Sequence, residues 1–149
     1  MWASEGAWVV SRPKYETAAD LTNEQHVAGV MDGLGYGLEK LPVQYRLDFA
    51  IFKDGRCLGF AEVKTRTFEM NKYPTVMISL SKVMAAKSLS DTTGLPCYLI
   101  VKYTDVIARL DFSDPYELRM GGRVDRGDPQ DRDICAFYPK ERFTIVSHL

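Results

Sequence analysis

Two apolar runs joined by a short glycine-containing loop constrain how this 149-residue chain can fold. Residues 45–52 and 57–65 show the alternating and continuous apolar patterns of β-strands. Lys53-Asp54-Gly55-Arg56, which lies between them, has the composition of a tight turn. We therefore expect a β-hairpin, with Asp48 on its first strand and Glu62 on its second.

The register of this hairpin decides whether the two carboxylates meet. Because successive side chains of a strand alternate between faces, a strict two-residue turn would pair Asp48 with Ala61 and direct Glu62 to the other face. A three-residue loop, or an equivalent bulge, would set Asp48 opposite Glu62, with Cβ atoms about 5 Å apart. Lys64 shares the face of Glu62. A metal site formed by these residues therefore requires the odd register.

A carboxylate pair of this kind is suited to a hard divalent cation. Mg²⁺ and Mn²⁺ bind through oxygen, typically to one or two carboxylates, water and substrate phosphate. Asp48 and Glu62 would supply the carboxylates, and the carbonyl of Val63 would complete the protein's share. A bound metal acidifies its water and neutralises the charge of a scissile phosphate. Lys64 would orient the attacking water or stabilise the developing oxyanion.

A helix is predicted to precede the hairpin, from residue 21 or 22 to Gly33. Thr22 and Gln25 have capping-box spacing, and glycines after the helix supply the stop. The apolar stripe of this helix consists of Val27, Val30, Met31 and Leu34. Glu24 lies on the same side in the first turn, so it either complements the helix dipole or reaches the site.

The pattern after the hairpin continues as mixed α/β. We expect an extended segment at 75–79, a helix at 81–90 that stops at Gly94, and a buried strand at 97–101. This order favours a right-handed crossover on a mixed sheet. The remaining predicted segments are strands at 106–112 and 143–146 and a charged loop at 121–133.

Charge is unevenly distributed along the chain. The net charge is −1, but residues 40–102 hold ten lysines and arginines against five carboxylates, so that stretch carries +5. The asymmetry is compatible with a nucleic-acid partner, and equally with a solvated surface of mixed charge.

Length and cysteine content set the expected class. A chain of 149 residues can bury a core as one domain, predicted to span 1–149, without disulfides. Three widely spaced cysteines fit neither a disulfide framework nor a zinc site. The sequence has no apolar run of about 20 residues and no signal-peptide pattern, so we expect no membrane partner and a cytoplasmic protein.

Together, Glu24, Asp48 and Glu62-Val63-Lys64, followed by a helix and a strand, resemble the PD-(D/E)xK nuclease superfamily over about residues 21–103. The resemblance implies a restriction-endonuclease-like α-β-β-β-α-β core, with a mixed central sheet flanked by helices. It also implies that Asp48, Glu62 and Lys64 are catalytic and that Asp48 and Glu62 are metal ligands. Glu24 would join the metal site as an accessory acid from the first helix. Leu47 stands where the motif of the family name has proline.

Further residues are candidates for contacts with nucleic acid. They are Arg66, Tyr73, Lys82, Arg123 and Arg126. Residues 73–82 and 122–128 look similar to small phage-encoded members of the superfamily, which would place Lys82 against phosphate. Tyr73 is placed where it could stack on a base. Arg123 and Arg126 alternate with aspartates, so a phosphate clamp and a self-neutralising loop both stay open.

These predictions combine into a Mg²⁺- or Mn²⁺-dependent endodeoxyribonuclease of phage type, acting on duplex, single-stranded or branched DNA. A homodimer is expected from size alone, because one small core offers little surface to a large substrate. Two other classes stay open. One is a nucleic-acid-binding module that keeps the fold without turnover, and the other is an assembly or host-interaction protein that uses its acidic C-terminal third.

Overall fold

The computed structural model describes residues 17–122 and 132–149. Two helices, α1 (Ala18–Gly33) and α2 (Leu80–Thr93), lie in these ranges. The strands are β1 (Gly37–Lys40), β2 (Phe49–Lys53), β3 (Arg56–Thr65), β4 (Thr75–Ser79), β5 (Cys97–Lys102), β6 (Val106–Asp111), β7 (Glu117–Gly121), β8 (Asp133–Pro139) and β9 (Thr144–His148). None of the helices described is long and apolar enough to cross a membrane.

The strands form two sheets. The larger has the order β1-β2-β3-β5-β6-β9, in which β3 and β5 are parallel and every other neighbouring pair is antiparallel. The smaller is antiparallel, with the order β4-β8-β7. Side chains of α1 join one face of the large sheet in a core, whereas α2 and the small sheet share a second core with its other face. The predicted mixed α/β sheet flanked by helices is confirmed.

Helix α1 begins one turn earlier than predicted because Thr17, and not Thr22, caps it. The Thr17 hydroxyl accepts the Asp20 N–H at 3.1 Å, and the Asp20 carboxylate accepts the Thr17 N–H at 2.9 Å. The Thr22 hydroxyl instead donates to the carbonyl of Ala18 inside the helix. The predicted end at Gly33 is confirmed, and Glu24 is buried on the apolar side of the helix.

The hairpin contains a two-residue loop and a bulge. Asp54 and Gly55 form the loop, both with positive φ (51° and 77°), as a tight hairpin turn with right-handed twist requires. Phe52 pairs with Cys57 but Ile51 pairs with Gly59, so one residue of β3 is unmatched between them.

The bulge produces the register that the metal site requires. Beyond it Phe49 pairs with Ala61, so the residues next to them, Asp48 and Glu62, lie on the same face of the sheet. The predicted odd register is therefore confirmed, through the bulge and not through a longer loop. Strand β2 itself begins at Phe49, because residues 43–45 form a 3₁₀ turn and Arg46 is left-handed (φ 64°).

The strand that joins the hairpin in the main sheet is not the predicted segment 75–79. Strand β1, which was not predicted, pairs with β2, whereas β4 belongs to the small sheet. The parallel crossover therefore runs from β3 to β5. It includes α2, which begins one residue before its predicted start and ends three residues after its predicted end, where Gly94 adopts φ 73°.

Candidate active site

Asp48 is fixed against β3 by its side chain. Its Oδ2 accepts the N–H of Val63 at 2.7 Å, while its own N–H donates to the carbonyl of Ala61 at 3.1 Å. The carboxylate thus takes a place in the hydrogen-bond ladder that a further residue of β2 would otherwise fill. This arrangement holds Asp48 at the end of β2 and leaves its Oδ1 for other contacts.

The backbone of β3 directs the Val63 carbonyl toward the same place. The N–H groups of Phe60 and Arg66 donate to carbonyls on the β5 side, at 3.0 and 2.8 Å. Residues at odd positions between them face the opposite neighbour, because the backbone polar groups of a strand alternate. The N–H and carbonyl of Val63 accordingly face the Asp48 side.

Glu62 is a buried carboxylate whose charge is only partly compensated. Its residue is 2% exposed, and its Oε1 accepts no hydrogen bond from the described residues. The Lys64 ammonium lies 3.3 Å from Oε2, and that of Lys82 lies 3.4 Å from Oε1. Burial raises the pKa of Glu62, Lys64 lowers it, and the negative charge of Asp48 raises it again.

The donor set fits a hard divalent cation. Asp48, Glu62 and the Val63 carbonyl offer oxygen only, which Mg²⁺ and Mn²⁺ prefer. A buried carboxylate oxygen without a hydrogen-bond donor would be compensated by such an ion. In residues 17–122 and 132–149, no three His, Cys, Asp or Glu side chains are grouped to hold a metal, so the backbone carbonyl and water would have to complete the shell.

Glu24 reaches the site differently from the expectation. Helix α1 packs on the sheet face of Phe49, Ala61 and Val63, whereas Glu62 points to the opposite face. The link to Asp48 passes through a lysine of β1. Lys40 Nζ donates to Glu24 Oε1 at 2.6 Å and lies 3.6 Å from Asp48 Oδ1.

Lys40 is the site residue that sequence reasoning missed. In the sequence, Lys40 was counted only as one of the ten positive charges of residues 40–102. The segment that carries it, Leu38-Glu39-Lys40-Leu41, does not alternate apolar and polar residues, so no local pattern predicts a strand there or its partner. The pairing of Lys40 with Phe49, next to Asp48, exists only in the folded sheet.

Two of the predicted substrate contacts are engaged within the protein. In addition to its ion pair with Glu62, Lys82 Nζ donates to the carbonyl of Arg46 at 2.5 Å, so it belongs to the site. The guanidinium of Arg66 donates to the carbonyls of Thr65 and Met77, at 3.2 and 3.0 Å. These bonds occupy donors that a phosphate contact would use.

Of the three remaining residues predicted to contact nucleic acid, the structure describes one, Tyr73. Tyr73 is half-exposed and packs edge-on against Phe68, with ring centroids 5.0 Å apart. A ring supported in this way has surface left for stacking, so its contact with a base stays a prediction. Arg123 and Arg126 lie outside the described residues.

Replacing Glu62 with glutamine should remove a pH-dependent loss of stability that arises because the folded protein buries this carboxylate. Burial raises the pKa of Glu62 above its ordinary value of 4.5, so the folded protein binds this proton more tightly than the unfolded chain. Stability should therefore fall as pH rises from 4.5 through the folded-state pKa. We expect the Tm of wild type, measured in EDTA between pH 4 and 8, to decline relative to that of Glu62→Gln.

The exposed Glu69 supplies the control for this measurement. Glu69→Gln also removes one carboxylate, but it should follow the wild-type Tm profile across the whole pH range. A constant difference in Tm between wild type and Glu62→Gln would contradict the assignment.

Comparison with known proteins agrees with this architecture. A model of the family described as "phage putative PDDEXK endonuclease" matches residues 10–146. The solved structure of Archaeoglobus fulgidus Hjc, a Holliday junction resolvase from an archaeal hyperthermophile, is similar with a TM-score of 0.57 and 12% sequence identity. The likeness covers 83% of this chain and 88% of that chain, and at this identity it shows the fold alone. A search of curated proteins found no match.

Proposed function

We propose, from the premise that the chain belongs to the phage PDDEXK endonuclease family, that it hydrolyses DNA phosphodiester bonds with the help of Mg²⁺ or Mn²⁺. The family resemblance inferred from the sequence is confirmed by the family match. The observation that carries the metal requirement is the buried Glu62 carboxylate opposite Asp48, with one oxygen that accepts no hydrogen bond from the described residues.

Three groups would hold the metal: the carboxylates of Asp48 and Glu62 and the carbonyl of Val63. When bound, the ion would supply Lewis acidity to the phosphate and lower the pKa of a coordinated water. The hydrogen bond from the Val63 N–H fixes Asp48, and burial restricts Glu62, so both ligands are preorganised. This rigidity supports the proposed site because the ligands need little rearrangement on binding.

Lys64 is the proposed catalytic lysine. Its ammonium lies 3.3 Å from Glu62 Oε2, and its side chain is 37% exposed, so it stands between the buried carboxylate and solvent. From there it can orient an attacking water and stabilise negative charge that develops on the phosphate. Lys82, also partly exposed, adds a second positive charge beside Glu62.

The substrate is proposed more broadly than the reaction. Lysines around the carboxylates suit an anionic backbone, and Hjc is described as a Holliday junction resolvase, so junction DNA belongs among the substrates to test.

The single domain and the homodimer stay predictions, and sedimentation velocity would measure the oligomeric state. A protein that binds DNA with steep salt dependence but cuts no substrate would be the non-catalytic module. One that does neither would favour the assembly or host-interaction class.

Asp48→Asn tests the metal requirement directly. The amide oxygen can still accept the Val63 N–H, but the negative charge that attracts a cation is gone. We expect wild type to cleave plasmid, single-stranded or junction DNA in Mg²⁺ or Mn²⁺ and not in EDTA. Cleavage by Asp48→Asn should be at least about 100-fold slower, since even the partners of metal ligands are worth 10- to 100-fold.

Asp91 provides the matched control, because its carboxylate is exposed on α2 and pairs only with Lys87 among the described residues. Asp91→Asn should cleave at the wild-type rate. Metal-dependent cleavage that persists at full rate in Asp48→Asn would rule out the proposed site.

A further inference from the structure

Glu24, Lys40 and Asp48 form a line of alternating charges beside the proposed metal site, here termed the lysine bridge. Lys40 contacts the two carboxylates in different ways. At 2.6 Å its ammonium donates a short charge-assisted hydrogen bond to Glu24 Oε1. At 3.6 Å from Asp48 Oδ1 it makes an ion pair without a hydrogen bond.

The two oxygens of Asp48 have separate surroundings. Oδ2 accepts the Val63 N–H, whereas Oδ1 faces the Lys40 ammonium. A divalent ion that binds Asp48 must therefore share this carboxylate with a positive charge already within 4 Å. Two cations on one carboxylate repel, so Lys40 opposes the metal more strongly the closer it lies to Oδ1.

We propose that Glu24 promotes metal binding indirectly, by holding the Lys40 ammonium away from Asp48 Oδ1. Lys40 is then a positioning residue that weakens metal binding, and Glu24 is its tether. The inference rests on the proposed function and deepens it. It gives Glu24 a role different from the accessory acid that the family resemblance implies.

The geometry favours a tether over a direct ligand. Glu24 comes from the helix on the sheet face opposite Glu62, and among the described residues it does not join Asp48 and Glu62 in a three-carboxylate group. The side chains of Glu24 and Asp48 are only 10% and 17% exposed, whereas that of Lys40 is 47% exposed. The two carboxylates are thus confined, and the lysine is the most exposed member of the bridge.

Calorimetric titration of Mn²⁺ into metal-free protein tests the bridge without relying on cleavage. Four proteins are compared: wild type, Lys40→Met, Glu24→Gln and the double variant. Removing the opposing charge should tighten Mn²⁺ binding on the order of tenfold in Lys40→Met. Glu24→Gln should weaken binding several-fold, because the released ammonium can move onto Asp48 Oδ1.

The double variant decides between tether and ligand. If Glu24 acts through Lys40, its replacement has no effect once the lysine is gone, and the double variant binds Mn²⁺ as Lys40→Met does. If Glu24→Gln weakens binding by the same factor in both backgrounds, Glu24 acts directly and the proposal is overturned. Unchanged or weaker binding in Lys40→Met would overturn it as well.

Lys53 supplies a control for the change in net charge. Its ammonium lies 5.1 Å from the centre of the Tyr36 ring, as that of Lys40 lies 5.4 Å from the centre of the Phe49 ring, but it belongs to the hairpin end of β2. Lys53→Met should bind Mn²⁺ as wild type does, and an equal gain there would overturn the local explanation. The same titration distinguishes failure of the proposed function from failure of this inference. If the proposed metal site is wrong, Mn²⁺ binding will be absent or unaffected by Asp48→Asn. Circular dichroism confirms that each variant is folded.

Discussion

Replacing Lys64 with methionine is expected to slow DNA cleavage by about 100- to 10,000-fold, the range that a positioned proton-transfer group contributes. The ammonium lies 3.3 Å from Glu62 Oε2 at the border between the buried carboxylate and solvent. Methionine keeps an unbranched apolar side chain of nearly the same length but removes the charge and every hydrogen-bond donor. Single-turnover cleavage at saturating protein and metal measures the loss.

The same substitution should also change the protonation of Glu62. In the metal-free protein Lys64 lowers the pKa of Glu62, so without the lysine the carboxyl holds its proton to higher pH. Rate measurements from pH 6 to 9 separate the two effects. A rate that recovers fully at high pH would show that Lys64 serves only to keep Glu62 ionised, and would contradict a role in the chemical step.

Lys87 is the matched control for Lys64. It lies on α2 in an exposed ion pair with Asp91 at 3.2 Å, far more accessible than Lys64. Lys87→Met removes one positive charge from the same protein and should cleave at the wild-type rate. Equal losses in both variants would mean that general attraction to DNA, and not chemistry at Lys64, limits the reaction.

Tyr138→Ala is expected to cause the largest loss of stability, about 3–5 kcal/mol in the free energy of unfolding. Tyr138 is fully buried in the core between the two sheets. Its ring lies 6.4 Å from that of Phe112 and 5.3 Å from that of Tyr116, and its hydroxyl donates to the Phe112 carbonyl at 2.9 Å. Alanine would leave a large cavity and an unpaired buried carbonyl.

Tyr138→Phe divides this loss into its parts. Phenylalanine keeps the ring contacts and removes only the hydroxyl, so we expect about 1 kcal/mol. Urea unfolding monitored by circular dichroism gives both values. If the two variants lose the same free energy, the hydrogen bond and not the packing is the main contribution. Well below the Tm, cleavage by Tyr138→Phe should stay at the wild-type rate. Within the described part of the chain, the ring contacts and side-chain hydrogen bond of Tyr138 involve Phe112 and Tyr116 and neither Asp48 nor Glu62.

The hairpin shows which features of the site local sequence patterns could predict. Alternation of apolar side chains predicted β2 and β3, and the acids at Asp48 and Glu62 required a particular register, which the structure has. That requirement could be stated in advance because side-chain alternation is a property of the strand itself. The structure meets this requirement with a bulge, an extra residue opposite Ile51 and Phe52. The sequence alone could not show whether a bulge or a longer loop would produce the register.

Helix α1 shows a smaller error with a clear cause. Thr17 and Asp20 have reciprocal capping geometry, and Thr22 and Gln25, five residues further along the chain, have the same spacing. Both pairs satisfy the local rule, and the structure uses the earlier one. The buried face of the helix was predicted in part. Val27 and Met31 are buried as expected, because the apolar stripe does not depend on where the first turn begins, but Leu34 follows the last helical residue and is 49% exposed.

What the sequence determined by itself was the set of local elements around the site, the order of Glu24, Asp48, Glu62 and Lys64 along them, and the family they resemble. These follow from short-range periodicity and from residue types that suit one chemistry. Only the tertiary structure decided that β1 pairs with β2, that β4 leaves the main sheet, and that Lys40 stands between Glu24 and Asp48. The physical reason is that strand partners are chosen by contacts between distant segments, whose hydrogen bonds and burial no local pattern records.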